Sequence, residues 1–304
     1  MTSPNGAAAP IGRMLTAMAT PMTADGQIDH DDLAALAVRL VDDGHDGLVV
    51  SGTTGEAPTT TDTEKTQILR TVIDAVGDRA CIVAGVGTNI TDHTVHLAKA
   101  AEHAGADALL VVTPYYNKPP QEGLVAHFTA VADATGLPNV LYDIPGRAGV
   151  PIHPATLQRL GEHDRIVGVK DAKGDFFSAA EVMATTNLVY YSGEDALNLA
   201  WLASGAVGLI SVVGHAFGPE YVRMIAAVDR GDLGEARAIN ASLIPAVKLI
   251  MSAMSQGAIQ SKAAMQLMGV IHSRHLRLPL LEASEGELGF LRETLIAAGK
   301  QVTV

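Results

Sequence analysis

The stretch Ile166-Val167-Gly168-Val169-Lys170-Asp171-Ala172 carries the strongest structural signal in this chain. Its apolar, β-branched run is typical of a parallel strand that is buried on both faces. A charged ammonium at the end of such a strand is costly unless the lysine is paired, neutralised or used covalently. Burial lowers the pKa of a lysine, so that more of it is the free amine that attacks a carbonyl. Most strand-end lysines reach solvent instead, and for Lys170 alone both interpretations stay open.

Seven further apolar runs of this kind lie along the chain, each bounded by Gly, Pro or Asp. The predicted strands, with that of Lys170, are 15–20, 47–51, 82–87, 109–113, 140–144, 166–170, 188–192 and 208–212. Stretches with helical periodicity lie between them, most clearly 31–43, 63–76, 92–104 and 197–204. Because strands and helices alternate eight times, the sequence predicts an α/β fold, a closed (β/α)8 TIM barrel.

The chain of 304 residues is longer than the roughly 250 of a typical barrel. The surplus follows the eighth strand, where only helical periodicity appears, in 219–230, 233–248, 260–268 and 287–298. We therefore expect a disordered tail at 1–12, a (β/α)8 catalytic barrel at 13–231 and a C-terminal helical domain at 232–304. The tail lacks the basic and apolar regions of a signal peptide.

Composition excludes several kinds of partner. The hydrophobic fraction is 48%, with 30 glycines and only 4% aromatic residues, which suits a large α/β core of small aliphatic side chains. A net charge of -12 argues against binding to nucleic acid or to an anionic membrane surface. The single cysteine, Cys81, cannot form an intramolecular disulfide, which fits a reducing cytoplasm. No stretch approaches the roughly 20 apolar residues of a membrane span.

Hydroxyl groups follow the same strands that predict the barrel. Thr53 and Thr54 come after the second strand, Tyr115 and Tyr116 after the fourth, and Tyr142 lies near the end of the fifth. Chemistry in such barrels takes place at the C-terminal ends of the strands, where all these side chains meet. Hydroxyls both donate and accept protons, so that several of them beside a reactive amine could relay protons.

Six short sequence segments lie at or near these strand ends. They are Gly52-Thr53-Thr54-Gly55-Glu56, Thr113-Pro114-Tyr115-Tyr116, Tyr142-Asp143-Ile144-Pro145-Gly146-Arg147, Val169-Lys170-Asp171-Ala172, Ser192-Gly193-Glu194-Asp195 and Gly208-Leu209-Ile210-Ser211-Val212. In this order and spacing they resemble the dihydrodipicolinate synthases, also called 4-hydroxy-tetrahydrodipicolinate synthases. The likeness runs from about Met14 to the C-terminus.

The resemblance implies a mechanism and a set of site residues. Lys170 would form a Schiff base with pyruvate, and the enamine would attack L-aspartate 4-semialdehyde before cyclisation, with no cofactor and no metal. The catalytic residues would be Lys170, Tyr142, Thr53 and Tyr116, and the substrate-binding residues Thr54, Arg147, Gly193 and Ile210. Tyr116 would enter the neighbouring subunit's site, in a homotetramer built as a dimer of tight dimers.

Arg147 distinguishes the synthase interpretation from its alternatives. Its guanidinium can bind a carboxylate through two hydrogen bonds, and the related N-acetylneuraminate lyases usually lack it. A Schiff-base aldolase acting on a keto-sugar acid such as 2-keto-3-deoxygluconate is the nearest alternative. A catalytically silent barrel should have lost Lys170, Tyr142 or Arg147, and all three are present. A phosphate-sugar isomerase is disfavoured because no basic residue accompanies Gly193 and Gly214.

Some positions depart from the family pattern. Asp143 stands where the family often has Asn, and Ala148 where it often has Thr, so a hydroxyl that might brace Arg147 is absent. The regulatory pocket that binds lysine in sensitive members would here be formed by Asn89, Tyr115, Asp62, Lys65 and His93. Because Lys65 adds a positive charge to a pocket for a cation, we expect weak or absent inhibition by lysine.

Overall fold

A computed structural model of the chain describes residues 9–251 and 256–303. Eight parallel strands close into a barrel in sequence order, and the last strand pairs with the first. The strands are β1 (Met14–Ala17), β2 (Gly47–Val50), β3 (Cys81–Gly85), β4 (Ala108–Val112), β5 (Asn139–Asp143), β6 (Ile166–Asp171), β7 (Val189–Ser192) and β8 (Gly208–Ser211). Each one overlaps a predicted apolar run, and the predicted (β/α)8 barrel is confirmed.

Helices surround the barrel and continue beyond it, as the sequence predicts. They are α1 (His30–Asp42), α2 (Asp62–Val76), α3 (Thr91–Ala104), α4 (Gln121–Asp133), α5 (Pro145–Ala148), α6 (Pro154–Leu160), α7 (Phe176–Thr185), α8 (Asn198–Ala203), α9 (Gly214–Asp229), α10 (Leu233–Ile250), α11 (Gly257–Leu267) and α12 (Glu285–Ala297). Two short 3-10 helices, Ala57–Thr59 and Asp195–Leu197, lie in the loops after β2 and β7. Among the described residues, no helix is both long and apolar enough to cross a membrane.

The strands bury both of their faces, in two separate clusters. Side chains that point into the barrel, such as Leu15, Val83 and Leu110, form a small inner core. Alternate side chains point outward and pack against the helices in a larger cluster. This double burial explains why the strands appear in the sequence as continuous apolar runs.

The inner core extends into the segment predicted as a disordered tail. Ile11 is completely buried in this cluster, and its backbone N–H donates to the hydroxyl of Tyr191 over 3.5 Å. Residues 1–8 of the predicted tail lie outside the described residues. Ile11 therefore belongs to the packed structure, although it lies in the segment 1–12 that was predicted as a disordered tail. Its apolar side chain closes the N-terminal end of the barrel.

Helix α9 begins five residues before the predicted start at Pro219. Its first turn carries buried side chains, and Phe217 leaves helical geometry with φ -128°. A proline inside a helix removes one backbone donor and crowds the preceding turn, which accounts for a kink at this point. The helical periodicity of the sequence predicted a start at Pro219, and proline is also common at the start of a helix.

The helices after the barrel are joined to the catalytic end by charged groups. Lys262 of α11 pairs with Glu56 in the loop after β2, and both side chains are fully buried. The same ammonium donates to the carbonyl of His275 over 2.7 Å, and the backbone N–H of Arg277 donates to Glu56 over 3.0 Å. These bonds fix the loop that carries Thr53 and Thr54 against the C-terminal segment.

Candidate active site

A cavity of about 90 Å³ opens at the C-terminal ends of the strands. Barrel strands and loops supply one part of its wall, and Met251, Gln256 and Gly257 at the adjoining ends of α10 and α11 supply another. Its lining includes Thr53, Thr54, Leu110, Tyr142, Ile144, Arg147, Lys170, Gly193, Glu194, Met251, Gln256 and Gly257. The hydroxyls and the amine predicted from strand ends thus converge at the face where barrel enzymes perform their chemistry.

Lys170 lies at the end of β6 and is 4% exposed. Burial lowers the pKa of its ammonium to about 8, against the opposing effect of the carboxylates of Asp195 and Glu194. The nearby guanidinium of Arg147 lowers this pKa further. Its Nζ lies 4.2 Å from the centroid of the Tyr142 ring. At neutral pH a useful share of this lysine is the free amine that can attack a carbonyl.

Gly193 makes room for the lysine side chain. A Cβ atom at this position would lie 2.8 Å from Cγ and 3.0 Å from Cε of Lys170. Its backbone N–H donates to the carbonyl of Asp171 over 2.7 Å, so the loop cannot easily move away. A side chain here would displace Lys170 or the end of β7.

Tyr142 stands directly beside Lys170, because the two residues are register partners on β5 and β6. The backbone carbonyl of Tyr142 accepts hydrogen bonds from the backbone N–H and the hydroxyl of Thr113, both over 3.0 Å. Burial raises the pKa of the Tyr142 hydroxyl above its usual range. The hydroxyl therefore stays protonated at neutral pH and is available as a hydrogen-bond donor in the cavity.

The loop with Thr53 and Thr54 is held in an unusual backbone conformation. Ser51 and Glu56, on either side of the threonines, have φ of 54° and 56°, in the left-handed region that most side chains avoid. The hydroxyl of Thr20 donates to the carbonyl of Gly55 over 2.8 Å. This hydrogen bond and the ion pair of Glu56 with Lys262 thus hold the loop of the two threonines in the cavity wall.

Asp195 joins the ends of β7 and β8 next to the cavity. Its carboxylate accepts hydrogen bonds from the backbone N–H groups of Val212 and Val213, over 2.8 and 3.0 Å. The side-chain amide of Asn198 donates to it over 2.8 Å, and the hydroxyl of Ser211 also donates. Four donors thus satisfy this buried carboxylate, and its charge raises the pKa of the nearby Lys170.

A larger groove of about 490 Å³ leads away from Thr53, Tyr142 and Arg147. The lining of this groove also includes the five residues predicted for a regulatory pocket, Asn89, Tyr115, Asp62, Lys65 and His93. The carboxylate of Asp62 lies 3.0 Å from Nε2 of His93. The Lys65 ammonium donates to the carbonyl of Thr60, and burial lowers the pKa of Lys65.

Tyr116 and Ile210 lie outside the lining of the small cavity. Tyr116 lines the larger groove, has φ of 73° and is 88% exposed. Ile210 packs inside the barrel next to Leu15 of β1. The structure thus brings six of the predicted residues together with Lys170 at the centre, namely Lys170, Tyr142, Thr53, Thr54, Arg147 and Gly193.

Nine lining residues were not predicted as part of the site, among them Glu194 and three residues of the C-terminal segment. Glu194 directly follows Gly193 at the end of β7, and a charged residue at a strand end was a signal for it. Met251, Gln256 and Gly257 come from the C-terminal segment, where no local sequence signal points to the cavity.

Asp143, which departs from the family pattern, faces away from the cavity and pairs with Lys173 over 3.1 Å. Burial raises the pKa of Asp143 to about 6.

In residues 9–251 and 256–303, no three His, Cys, Asp or Glu side chains are grouped to hold a metal ion. The histidines near the site have other partners, such as Asp62 for His93.

Together, the fold and the cavity define a (β/α)8-barrel enzyme with its reaction chamber at the C-terminal ends of the strands. The family model described as the dihydrodipicolinate synthetase family matches residues 10–298. The chain belongs to this family. A relative in Kineococcus radiotolerans, named 4-hydroxy-tetrahydrodipicolinate synthase, is 60% identical over 95% of this chain and 94% of its own.

Solved structures agree with this assignment. The dihydrodipicolinate synthase of Acinetobacter baumannii, described as chloride-inhibited and complexed with pyruvate, superposes with a TM-score of 0.91 at 36% identity. That match covers 96% of this chain and 100% of the other. The enzyme of Cyanidioschyzon merolae, described with lysine bound, gives 0.92 at 38% identity, over 95% and 98% of the two chains.

Proposed function

We propose that the protein is a 4-hydroxy-tetrahydrodipicolinate synthase, a lyase that condenses pyruvate with L-aspartate 4-semialdehyde in the diaminopimelate route to lysine. One observation carries the chemistry, the buried Lys170 with a pKa of about 8 inside a barrel mouth. Relatives that share 53–60% of their residues with this chain carry the name of the same activity.

The reaction begins at Nζ of Lys170. The free amine attacks the keto carbon of pyruvate, and loss of water leaves an imine. The methyl carbon then loses a proton to give an enamine, which forms a carbon–carbon bond to the aldehyde carbon of the second substrate. The substrate's amino group finally attacks the imine carbon, closes the ring and displaces Lys170 as a free amine.

Proton transfers in these steps fall to three hydroxyls. Tyr142 lies against Lys170 and carries its proton at neutral pH, so it can donate to the oxygen that leaves as water. Thr53 lines the same cavity. Tyr116 completes the relay from the neighbouring subunit, a role supported by its exposure of 88% in a single chain.

Substrate carboxylates bind at two places. Thr54 and the adjacent backbone hold the pyruvate carboxylate, while the exposed guanidinium of Arg147 holds the carboxylate of the semialdehyde. Gly193 and Ile210 contribute backbone groups near the keto acid. A sugar-acid aldehyde would not place a carboxylate at Arg147, which is why the keto-sugar aldolase remains the second candidate.

Borohydride reduction in the presence of pyruvate tests the covalent step. Peptide mass analysis should find a pyruvyl adduct on Lys170 and none in a Lys170→Ala variant. An unmodified Lys170 would remove the mechanism. A coupled assay that offers each aldehyde with pyruvate then separates the two activities, and turnover with a keto-sugar aldehyde alone would favour the second candidate.

We infer a homotetramer built as a dimer of tight dimers, located in the cytoplasm. The strained and exposed Tyr116 supports the tight dimer, because its side chain has no role within its own cavity. Sedimentation of the wild type and of a Tyr116→Phe variant should give the same assembly, with turnover lowered in the variant. Full turnover by a monomer would contradict this arrangement.

Weak or absent inhibition by lysine is the regulatory part of the proposal. The groove offers Asp62 to a cation, but His93 already binds this carboxylate, and Lys65 adds a competing positive charge. Turnover should hardly change with millimolar lysine. Strong inhibition would sink this prediction and leave the catalytic proposal intact.

A further inference from the structure

Two opposite charges face the same cavity without pairing with each other. Arg147 on α5 and Glu194 after β7 both line the space in front of Lys170. No ion pair joins them, and within the described part of the chain the Arg147 guanidinium has no other carboxylate partner. Two free charges of opposite sign on one cavity wall are complementary to a ligand that carries both charges itself.

Glu194 is the acidic residue of this cavity. Among the described residues that line it, no other carries a carboxylate. Oε1 of Glu194 accepts from the backbone N–H of Ala196 over 3.4 Å, which orients the side chain at the start of a 3-10 helix. Oε2 makes no bond within the described chain, so this oxygen is free to receive a donor.

The carboxylate of Glu194 interacts electrostatically with Lys170 and Arg147. Its charge raises the pKa of Lys170, and the charges of Lys170 and Arg147 lower the pKa of Glu194 in return. Burial has the largest effect and raises the pKa of Glu194. A half-buried carboxylate with one weak hydrogen bond gains from a further cationic donor.

We propose that Glu194 binds the α-ammonium group of the aldehyde substrate, while Arg147 binds the carboxylate on the same carbon atom. This inference rests on the proposed function, because L-aspartate 4-semialdehyde carries both groups. Glu194 is thus a specificity-determining residue that selects an amino-aldehyde. A hydroxy-aldehyde has no cationic group, so its binding would leave the Glu194 carboxylate in the cavity without a cationic partner. It would therefore bind more weakly.

A pair of substrates that differ only in the ammonium group tests the role. Succinic semialdehyde has the same aldehyde and carboxylate but no amino group. The variant Glu194→Gln keeps the shape and removes the charge, and Glu194→Asp keeps the charge. Glu235→Gln on α10 removes one surface carboxylate that pairs with Arg230 and serves as the matched control.

Glu194→Gln should raise KM for aspartate semialdehyde by about 10- to 100-fold, as expected for a hydrogen bond between charged groups. The inhibition constant of succinic semialdehyde should stay near that of the wild type. Glu194→Asp should recover part of the affinity, and Glu235→Gln should behave like the wild type. Pyruvate trapping should persist in Glu194→Gln with its pH midpoint lowered, because a carboxylate that raises the pKa of Lys170 is gone.

Two results would overturn the role of Glu194 while the proposed function stands. One is an unchanged KM for aspartate semialdehyde in Glu194→Gln. The other is an equal loss of affinity for both aldehydes. This result would show that Glu194 holds Arg147 or Lys170 in place and does not bind the ammonium group. A wild-type enzyme that traps no pyruvate would instead remove the proposed function, and this inference with it.

Discussion

Replacement of Lys170 by methionine should abolish activity and stabilise the fold. Methionine has a similar length and no charge, so the barrel keeps its packing while the nucleophile is lost. With a pKa of about 8 instead of 10.5, about 9% of Lys170 is free amine at pH 7, against about 0.03% for an ordinary lysine. Wild-type pyruvate trapping should therefore rise with pH and level off above a midpoint near 8.

The same pKa shift sets the size of the stability change. The ammonium is less favourable in the folded state than in the unfolded chain, so the unfolded chain holds more protons between pH 8 and 10.5. Stability of the wild type consequently rises with pH across this window. Below it the charge costs about 3 kcal/mol, from 1.36 kcal/mol per pKa unit. Lys170→Met should remove this cost at pH 7, and its advantage should shrink to about 1 kcal/mol at pH 9.5.

Urea unfolding at pH 7 and 9.5 measures both parts of this prediction. Lys248→Met on the exposed side of α10 is the control, and the difference between it and the wild type should not depend on pH. A Lys170→Met protein that is less stable than the wild type at pH 7 would refute the reasoning. So would a trapping midpoint near 10, because the lysine would then be an ordinary one.

Three further predictions concern residues around the site. Gly193→Ala should slow pyruvate trapping at least tenfold and lower the free energy of unfolding by about 1–3 kcal/mol, because the added Cβ meets Lys170. An unchanged trapping rate would show that the lysine side chain has room. Glu56→Gln or Lys262→Met alone should lower the free energy of unfolding by about 3–5 kcal/mol, since each leaves a buried charge unpaired, and the double variant should lose less than the sum. Additive losses in urea unfolding would contradict this. Burial lowers the pKa of His45 and of His215 to about 4, so stability should fall by about 2 kcal/mol for each histidine between pH 7 and 5 as the unfolded chain gains protons. Equal unfolding free energies at the two pH values would disprove this cause.

The barrel could be predicted from the sequence because its strands bury both faces. Residues 166–169 of β6 are apolar throughout, and eight runs of this kind at regular spacing leave few alternatives. Helix ends were less certain. Ser284 and Glu287 form a capping box that starts α12 at Glu285, a local signal that the periodicity argument passed over. The early start of α9 depends on tertiary packing around Gly214, which no local pattern reports.

The residues of the candidate site also fall into those that the sequence could predict and those that it could not. Lys170, Tyr142 and Thr54 could be found because the topology alone brings strand ends to one face. Gln256 could not, because its position depends on how the C-terminal helices pack against the barrel. The side chain of Ile210 lies in the inner core next to Leu15, and a role for Ile210 at the substrate stays a prediction that involves its backbone. A residue near the end of a strand faces either the cavity or the core, and a shift of one position decides which.

The helices beyond the barrel help to form the cavity and to hold one of its loops in place. Gln256 and Gly257 close one wall of the cavity, and the buried ammonium of Lys262 reaches the loop of Thr53 and Thr54 through Glu56. Two opposite charges removed from water are held together far more strongly than a surface pair, so this contact resists opening. The loop's backbone is strained at Glu56, and strain persists only where the surroundings hold it. Separation of the C-terminal segment from the barrel would therefore open the cavity and release that loop together.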